Sequence, residues 1–210
     1  ARSRGLGDVY KRQIFIRFKN YYFFLILTLF IFSGCSFEKK YSKLDIDNLL
    51  ETRYDKLLKY SVDSLSFPRS YSRHENASKL VPSKDWTSGF FAGNLWYLYT
   101  LTGNQAYIDK AQAWTSFIEK EKFNDKTHDM GFKIYNSFGN GLKIKDNKRY
   151  KNIIIKSAKT LSTRFNENIK SIRSWDFNKK VWQFPVIIDN MMNLELLFEA
   201  TKLTNDSTYH

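Results

Sequence analysis

The chain has 210 residues, 42% of them hydrophobic and 17% aromatic, which is enough apolar material for one sizeable core and makes a single domain the default. It carries 34 Lys and Arg against 21 Asp and Glu, a formal net charge of +13. The basic residues are spread along the chain among interleaved acids, with no basic run and no recognised binding motif, which argues against nucleic acid as a partner. The only cysteine is Cys35, which excludes an internal disulfide.

Residues 1–13, ARSRGLGDVYKRQ, resemble translated sequencing-adapter sequence joined in frame and are excluded from the fold reading as an artefact. Residues 14–34 read as a lipoprotein signal peptide: Arg17 and Lys19 form a basic start, and an apolar run from Tyr21 to Phe32 leads into Phe32-Ser33-Gly34-Cys35, which looks like a bacterial lipobox. The run, about 12 residues, is too short to cross ~30 Å of hydrocarbon. Lipidated at Cys35, the chain would sit in the bacterial periplasm or at the cell surface, joined to the membrane by a tether over 35–42; a short membrane anchor with an incidental cysteine is the alternative. Six Lys and Arg against one acid give residues 1–34 a net +5, which leaves +8 of the +13 for the remainder. A modestly basic surface of that kind would attract a uronate polyanion, though it would attract other anions too.

From 43 to 210 the chain reads as almost entirely helical. Ile46, Leu49, Leu50, Leu57 and Leu58 fit one helical stripe, Tyr107, Ile108, Ala111, Trp114, Phe117 and Ile118 a second, and Ile154, Ala158, Leu161 and Phe165 a third. All three are expected to be core. The segment from Pro68 to Lys84, with its two prolines and several serines, reads as a loop. A weak repeat joins the helices: Leu101-Thr102-Gly103-Asn104-Gln105-Ala106-Tyr107 matches Leu203-Thr204-Asn205-Asp206-Ser207-Thr208-Tyr209 and, more faintly, Ile144-Lys145-Asp146-Asn147-Lys148-Arg149-Tyr150. In each, Gly or Asn can take the left-handed position that ends one helix while the next Asn or Asp caps the following one. The turns start at 101, 144 and 203, so they recur after 43 and 59 residues, which predicts stacked helical hairpins in a solenoid or closed toroid.

Two acids stand in unusual settings. Asp189 emerges from an apolar run, WQFPVIIDNMMN over 182–193, at a predicted helix start. Removing a carboxylate from water costs several kcal/mol unless it is paired or protonated, on the order of the penalties for buried charge. Taken singly, this segment favours Asp189 as a helix cap. Asp129, in His128-Asp129-Met130-Gly131-Phe132, is a second such acid beside a glycine that permits close approach, and the two together suggest acid/base chemistry. Trp86 and Trp175 lie in polar loops next to acids, a common sugar-binding composition, although either alone is more often a core residue. The three histidines and single cysteine have no metal-ligand spacing, so neither metal nor organic cofactor is expected.

DWTSGFFAGNLWYLYTLTG at 85–103, HDMGF at 128–132, IRSWD at 172–176 and WQFPVIIDNMMNLELLF at 182–198 resemble, in order, the unsaturated glucuronyl hydrolases of glycoside hydrolase family 88, and FPRS at 67–70 resembles members from polysaccharide-degradation systems. Ala92 departs from the proline common in that turn, and the chain is little more than half the family's length. The resemblance implies an all-α (α/α)6 barrel of which about the first half is present, with apolar faces exposed at its open edges. It implies substrates that are oligosaccharides left by polysaccharide lyases, whose terminal uronate carries a C4–C5 double bond that the enzyme hydrates. Asp189 would be the general acid/base, Asp129 would position the ring and tune its partner, Trp86 and Trp175 would stack on sugar, and His128 would line the pocket. The unsaturated rhamnogalacturonyl hydrolases of family 105 share barrel and chemistry, while HDMGF and IRSWD favour family 88. A non-catalytic, surface-anchored glycan-binding lipoprotein is the reading from another class.

Overall fold

The computed structural model describes residues 42–209; the signal peptide expected over 14–34 and its expected lipidation site, Cys35, lie outside them. The first helix, α1 (Lys43–Leu58), forms where the stripe predicts it, but it is not a core helix. Ile46 and Leu49 face solvent, and only Leu50, Leu57 and Leu58 pack on the core. The helix is held from its far end by polar bonds: Lys110 donates to the carbonyls of Leu58 and Tyr60, and Tyr107 Oη donates to Asp55 at 3.1 Å.

The predicted loop over 68–84 is instead a β-hairpin for most of its length, β1 (Phe67–Ser72) paired antiparallel with β2 (Ala77–Val81) and bulged between Pro68 and Ser70. Arg69 is the residue the bulge leaves out of register, next to Pro68, which has no N–H to give to a ladder. Phe67 anchors the hairpin: it is fully buried, edge-on to Trp114 at 5.4 Å.

Next comes the central helical hairpin, α2 (Ser88–Thr102) and α3 (Gln105–Ile118). Its turn is built as the repeat predicts. Gly103 is left-handed at φ 71° and its N–H bonds Tyr99 O, while the Asn104 side chain accepts from Ala106 N at 3.0 Å. The second stripe is core: Tyr107, Ile108, Ala111, Trp114 and Ile118 are buried, and Phe91 meets Trp114 edge-on at 5.1 Å.

A 3-10 turn (Glu119–Phe123) leads to a nine-residue π-helix, Gly131–Gly139, packed on α2 and followed by the short α4 (Asn140–Ile144). Asn147 then caps α5 (Lys148–Ser162), whose Ile153, Ile154, Ala158 and Leu161 are buried. Phe165, the last member of the third stripe, is exposed instead. The helix ends before it, and Arg164 turns inward in its place: Nε donates to Arg173 O at 2.7 Å and Nη1 to Asp176 at 2.7 Å and to Asp125 O. A two-residue ladder, β3 (Phe165–Asn166) with β4 (Ser171–Ile172), and a long connection lead to α6 (Asn190–Asn193) and α7 (Glu195–Thr204). Helix α7 ends on the repeat's second left-handed residue, Asn205 at φ 57°, after which Asp206 accepts from Thr208 N at 2.9 Å. Among the described residues no helix is long and apolar enough to cross a membrane.

Candidate active site

The segments that carry HDMGF, IRSWD and IIDNMMN are distant in sequence and knit together in space. Thr127 bridges Trp175 as an isolated antiparallel pair, and His128 N donates to Ser174 O at 3.2 Å. Ser174 N in turn donates to Pro185 O at 2.8 Å, and Ser174 Oγ accepts from Ile187 N at 3.2 Å, which turns the apolar run toward the first motif. Asn193 closes the ring. It is buried, its Oδ1 accepts from Phe132 N at 2.9 Å, and its Nδ2 donates to Asp189 O at 3.2 Å. Gly131 makes this approach possible, because a β-carbon there would stand 2.6 Å from Asn193 Cα.

His128 is at the centre. The sequence predicts it as a pocket-lining residue; in the fold it is 3% exposed and set between both acids, with Nε2 3.2 Å from Asp129 Oδ1 and 3.5 Å from Asp189 Oδ1. Its Nδ1 is hydrogen-bonded to Asn190 Oδ1. Burial works against the imidazolium, but the hydrogen bonds to Asp129 and Asn190 and the charges of both acids outweigh it, so the His128 pKa lies above its ordinary value.

The two acids are not equivalent. Asp129 uses both oxygens, Oδ1 toward His128 and Oδ2 as acceptor from Thr127 Oγ1. Burial pushes its pKa up, and the bonds from His128 and Thr127 with the charges of His128 and Lys133 pull it below the usual carboxylate value. Asp189 stands at the N-terminus of α6 but makes no side-chain cap bond, so the capping role favoured for the isolated segment does not hold. Its side chain is 35% exposed, and Oδ1, though buried, has no hydrogen-bond partner among the described residues. One carboxylate has both oxygens engaged, while the other keeps an oxygen without a hydrogen bond. His128, Asp129 and Asp189 also offer ligand atoms within 4.8 Å of one another, the one such group among the described residues, but the imidazole nitrogen is turned onto the acids themselves.

Behind Asp129 lies a buried pair that sequence reasoning missed. Lys133 is 0% exposed and its Nζ is 3.4 Å from Glu121 Oε2. Glu121 also accepts from Ser83 Oγ at 2.6 Å and from Asn124 Nδ2 at 2.7 Å. Burial raises the Glu121 pKa, but these bonds and the Lys133 charge bring it below the ordinary glutamate value. Lys133 follows HDMGF directly, four residues after Asp129, which is the only sequence signal that could have marked it.

Trp86 is 44% exposed, edge-on to Phe90 at 5.9 Å and 5.7 Å from Phe132, with the Arg69 guanidinium 5.5 Å from its ring centre. Phe132 connects it to the acid segment. Trp175 is half-buried and stacks on Phe177 at 5.2 Å with 12° between the rings. A cavity of about 980 Å³ lies to one side, lined by residues that include Ile172, Ile187, Met191 and Leu197; it contains neither acid and touches the cluster through Asn190.

No family model matches the chain. The unsaturated glucuronyl hydrolase of Formosa agariphila is 57% identical over 197 residues, 90% of this chain and 49% of that protein. The unsaturated chondroitin disaccharide hydrolase of Streptococcus pneumoniae is 28% identical over 139 residues, 65% of this chain and 35% of that protein. Among solved structures, an unsaturated glucuronyl hydrolase specific for heparin superposes with a TM-score of 0.69 at 36% identity, covering 78% of this chain and 45% of that one. Such structures are α/α barrels, and this chain carries their helical fold over less than half of their length. The chain is thus similar to unsaturated glucuronyl hydrolases, and it spans about half the length of the Formosa agariphila protein.

Proposed function

We propose that a protein with this chain, as a relative of the unsaturated glucuronyl hydrolases, removes the terminal 4,5-unsaturated uronate from lyase-generated glycosaminoglycan oligosaccharides by hydrating its double bond. The observation that carries this reading is the asymmetry of the two acids around His128. Asp129 is held ionised by two donors, while Asp189 keeps one oxygen unpartnered and the side chain partly open.

In this reading protonated Asp189 gives its proton to C4 of the vinyl ether, and positive charge develops at C5, shared with the ring oxygen. Water adds at C5 and returns a proton to Asp189, so one water is consumed and the acid is regenerated. The resulting C5 hemiketal opens by breaking its bond to the ring oxygen, and the hemiacetal exposed at C1 releases the aglycone. Proton transfer of this kind contributes about 10² to 10⁴-fold. His128 lies between Asp129 and Asp189 and holds the two acids in place, and Trp86 and Trp175 are the sugar-stacking faces. The same reading takes 14–34 as a lipoprotein signal, Cys35 as the lipidated residue beyond the described part, and the periplasm or cell surface as the location.

The test is to incubate the protein with unsaturated disaccharides from heparin and from chondroitin and to follow the ultraviolet absorbance of the double bond. Loss of absorbance that is abolished in Asp189→Asn supports the reading. Release of sugar with the double bond intact would refute it.

A further inference from the structure

We infer that Asn190 is a positioning residue that fixes the proton of His128 on Nδ1 and so turns Nε2 to share a single proton with the acids. The inference rests on the reading of Asp129 and Asp189 as the acid/base pair. The orientation of the Asn190 amide follows from its other contacts: Nδ2 lies 2.9 Å from Ile172 O and 3.3 Å from Ser174 Oγ. A carbonyl oxygen only accepts, so the nitrogen must be the end that faces Ile172, and Oδ1 must be the end that faces His128. Oδ1 has no hydrogen to offer. Nδ1 of His128 is therefore the donor in that bond, whatever the charge on the ring.

This has a consequence at the other nitrogen. A neutral ring with its proton on Nδ1 presents a lone pair from Nε2, and that lone pair would face Asp129 Oδ1 at 3.2 Å and Asp189 Oδ1 at 3.5 Å. Three acceptors would meet with nothing between them, so a proton belongs there. Asp129 does not carry it. Its Oδ2 accepts from Thr127 Oγ1, and against the effect of burial the bonds from His128 and Thr127 hold the carboxyl below its usual value, so Oδ1 meets Nε2 as an acceptor. The proton thus resides on Nε2 or on Asp189, whose carboxylate is partly open and 3.5 Å away. The titratable groups at the ring are Asp129 and Asp189, with Lys133 acting on Asp129 from behind. Asn190 supplies no proton. It chooses which face of the imidazole holds the mobile one.

The chain labelled with 15N-histidine tests this by NMR. It has three histidines, His74, His128 and His210, and His128→Gln identifies the signal. His128 should show a proton bonded to Nδ1 throughout its titration, with Nε2 the nitrogen that loses its proton and a midpoint above the ordinary histidine value. In Asn190→Ala the neutral ring should shift toward the Nε2–H form with a lower midpoint, and Asn190→Asp, which keeps an acceptor at Nδ1, should retain the Nδ1–H form. A wild-type His128 that is neutral with its proton on Nε2 would overturn the inference, as would an Asn190→Ala spectrum that matches wild type. If Asn190→Ala does not fold, the wild-type tautomer decides alone. The spectra need no turnover, so their failure leaves double-bond hydration standing, and an inactive protein with the expected tautomer counts against hydration only.

Discussion

Gly131 and Asn193, 62 positions apart, are packed backbone to backbone so closely that a β-carbon on the glycine would fall 2.6 Å from Asn193 Cα and 2.9 Å from its carbonyl oxygen. Asn193 also holds Phe132 N and Asp189 O, so this contact sets the distance between the two acid-bearing segments. Gly131→Ala should therefore force the segments apart, at a cost of about 1–3 kcal/mol as in other overpacked sites. Thermal melting should fall and any hydration activity should fall further, because both acids move relative to His128. A variant with wild-type melting and activity would mean that the segments yield without consequence.

Asp189→Asn separates structure from chemistry. Since Asp189 makes no side-chain cap bond, the amide loses only the attraction to His128, and melting should fall slightly at most. Turnover of an unsaturated disaccharide should drop about 10²-fold or more, because the amide cannot pass a proton. Parallel melting and rate measurements on one preparation decide the matter. Ordinary turnover would remove Asp189 from the mechanism.

The proton balance at His128 and Asp129 gives a pH window. His128 is raised above its ordinary 6.5, so its stabilising effect is complete below 6.5 and fades as pH rises through the folded value. Asp129 is lowered below its ordinary 3.8, so its effect is complete above 3.8 and fades as pH falls through the folded value. Both contributions are complete between pH 3.8 and 6.5. The difference in melting temperature between wild type and His128→Gln/Asp129→Asn should be greatest there and should narrow on either side. A difference that widens toward alkaline pH would contradict the arrangement.

The buried pair behind the site should behave as a unit. Lys133→Met alone leaves Glu121 charged and buried, and breaking such a pair costs about 3–5 kcal/mol. Glu121→Gln with Lys133→Met removes both charges and should recover part of the loss, since Ser83 and Asn124 can still bond the amide. Chemical denaturation of these two variants and of Glu121→Gln alone measures the coupling. Additive losses would show that the two charges act independently.

Much of the scaffold was legible because it is periodic. The stripe through Tyr107, Ala111 and Trp114 and the turns at Gly103 and Asn205 depend on residues a few positions apart, and they form as the pattern says. Local pattern failed where a distant partner decides. Ile46 and Leu49 have helical spacing but nothing to cover them among the described residues, and Phe165 yields the interior to Arg164, whose partners lie at 125, 173 and 176. The hairpin at Phe67–Val81 was hidden by Pro68 and the serines because its stabilising contact, Phe67 on Trp114, spans 47 positions. At the site the acids and His128 were visible as residue types. Asn190, Asn193 and Lys133 were not, since an asparagine or a lysine acquires its meaning only from the neighbours that folding provides.

The long-range nature of these bonds also bears on the order of folding. The hairpin of α2 and α3 closes over two residues, whereas His128 reaches Asn190 across 62 positions and Phe132 reaches Asn193 across 61. Contacts of high sequence separation incur loop-closure entropy before they return any stability, so the helical hairpins should form early and the acid cluster late. The connection between Trp175 and Asp189 then acts as a latch. Opening it locally would disarm the site while the helices stay folded, and amide exchange at His128 and Phe132, whose N–H groups bond to Ser174 and Asn193, should run ahead of exchange at Tyr107 in the same molecule.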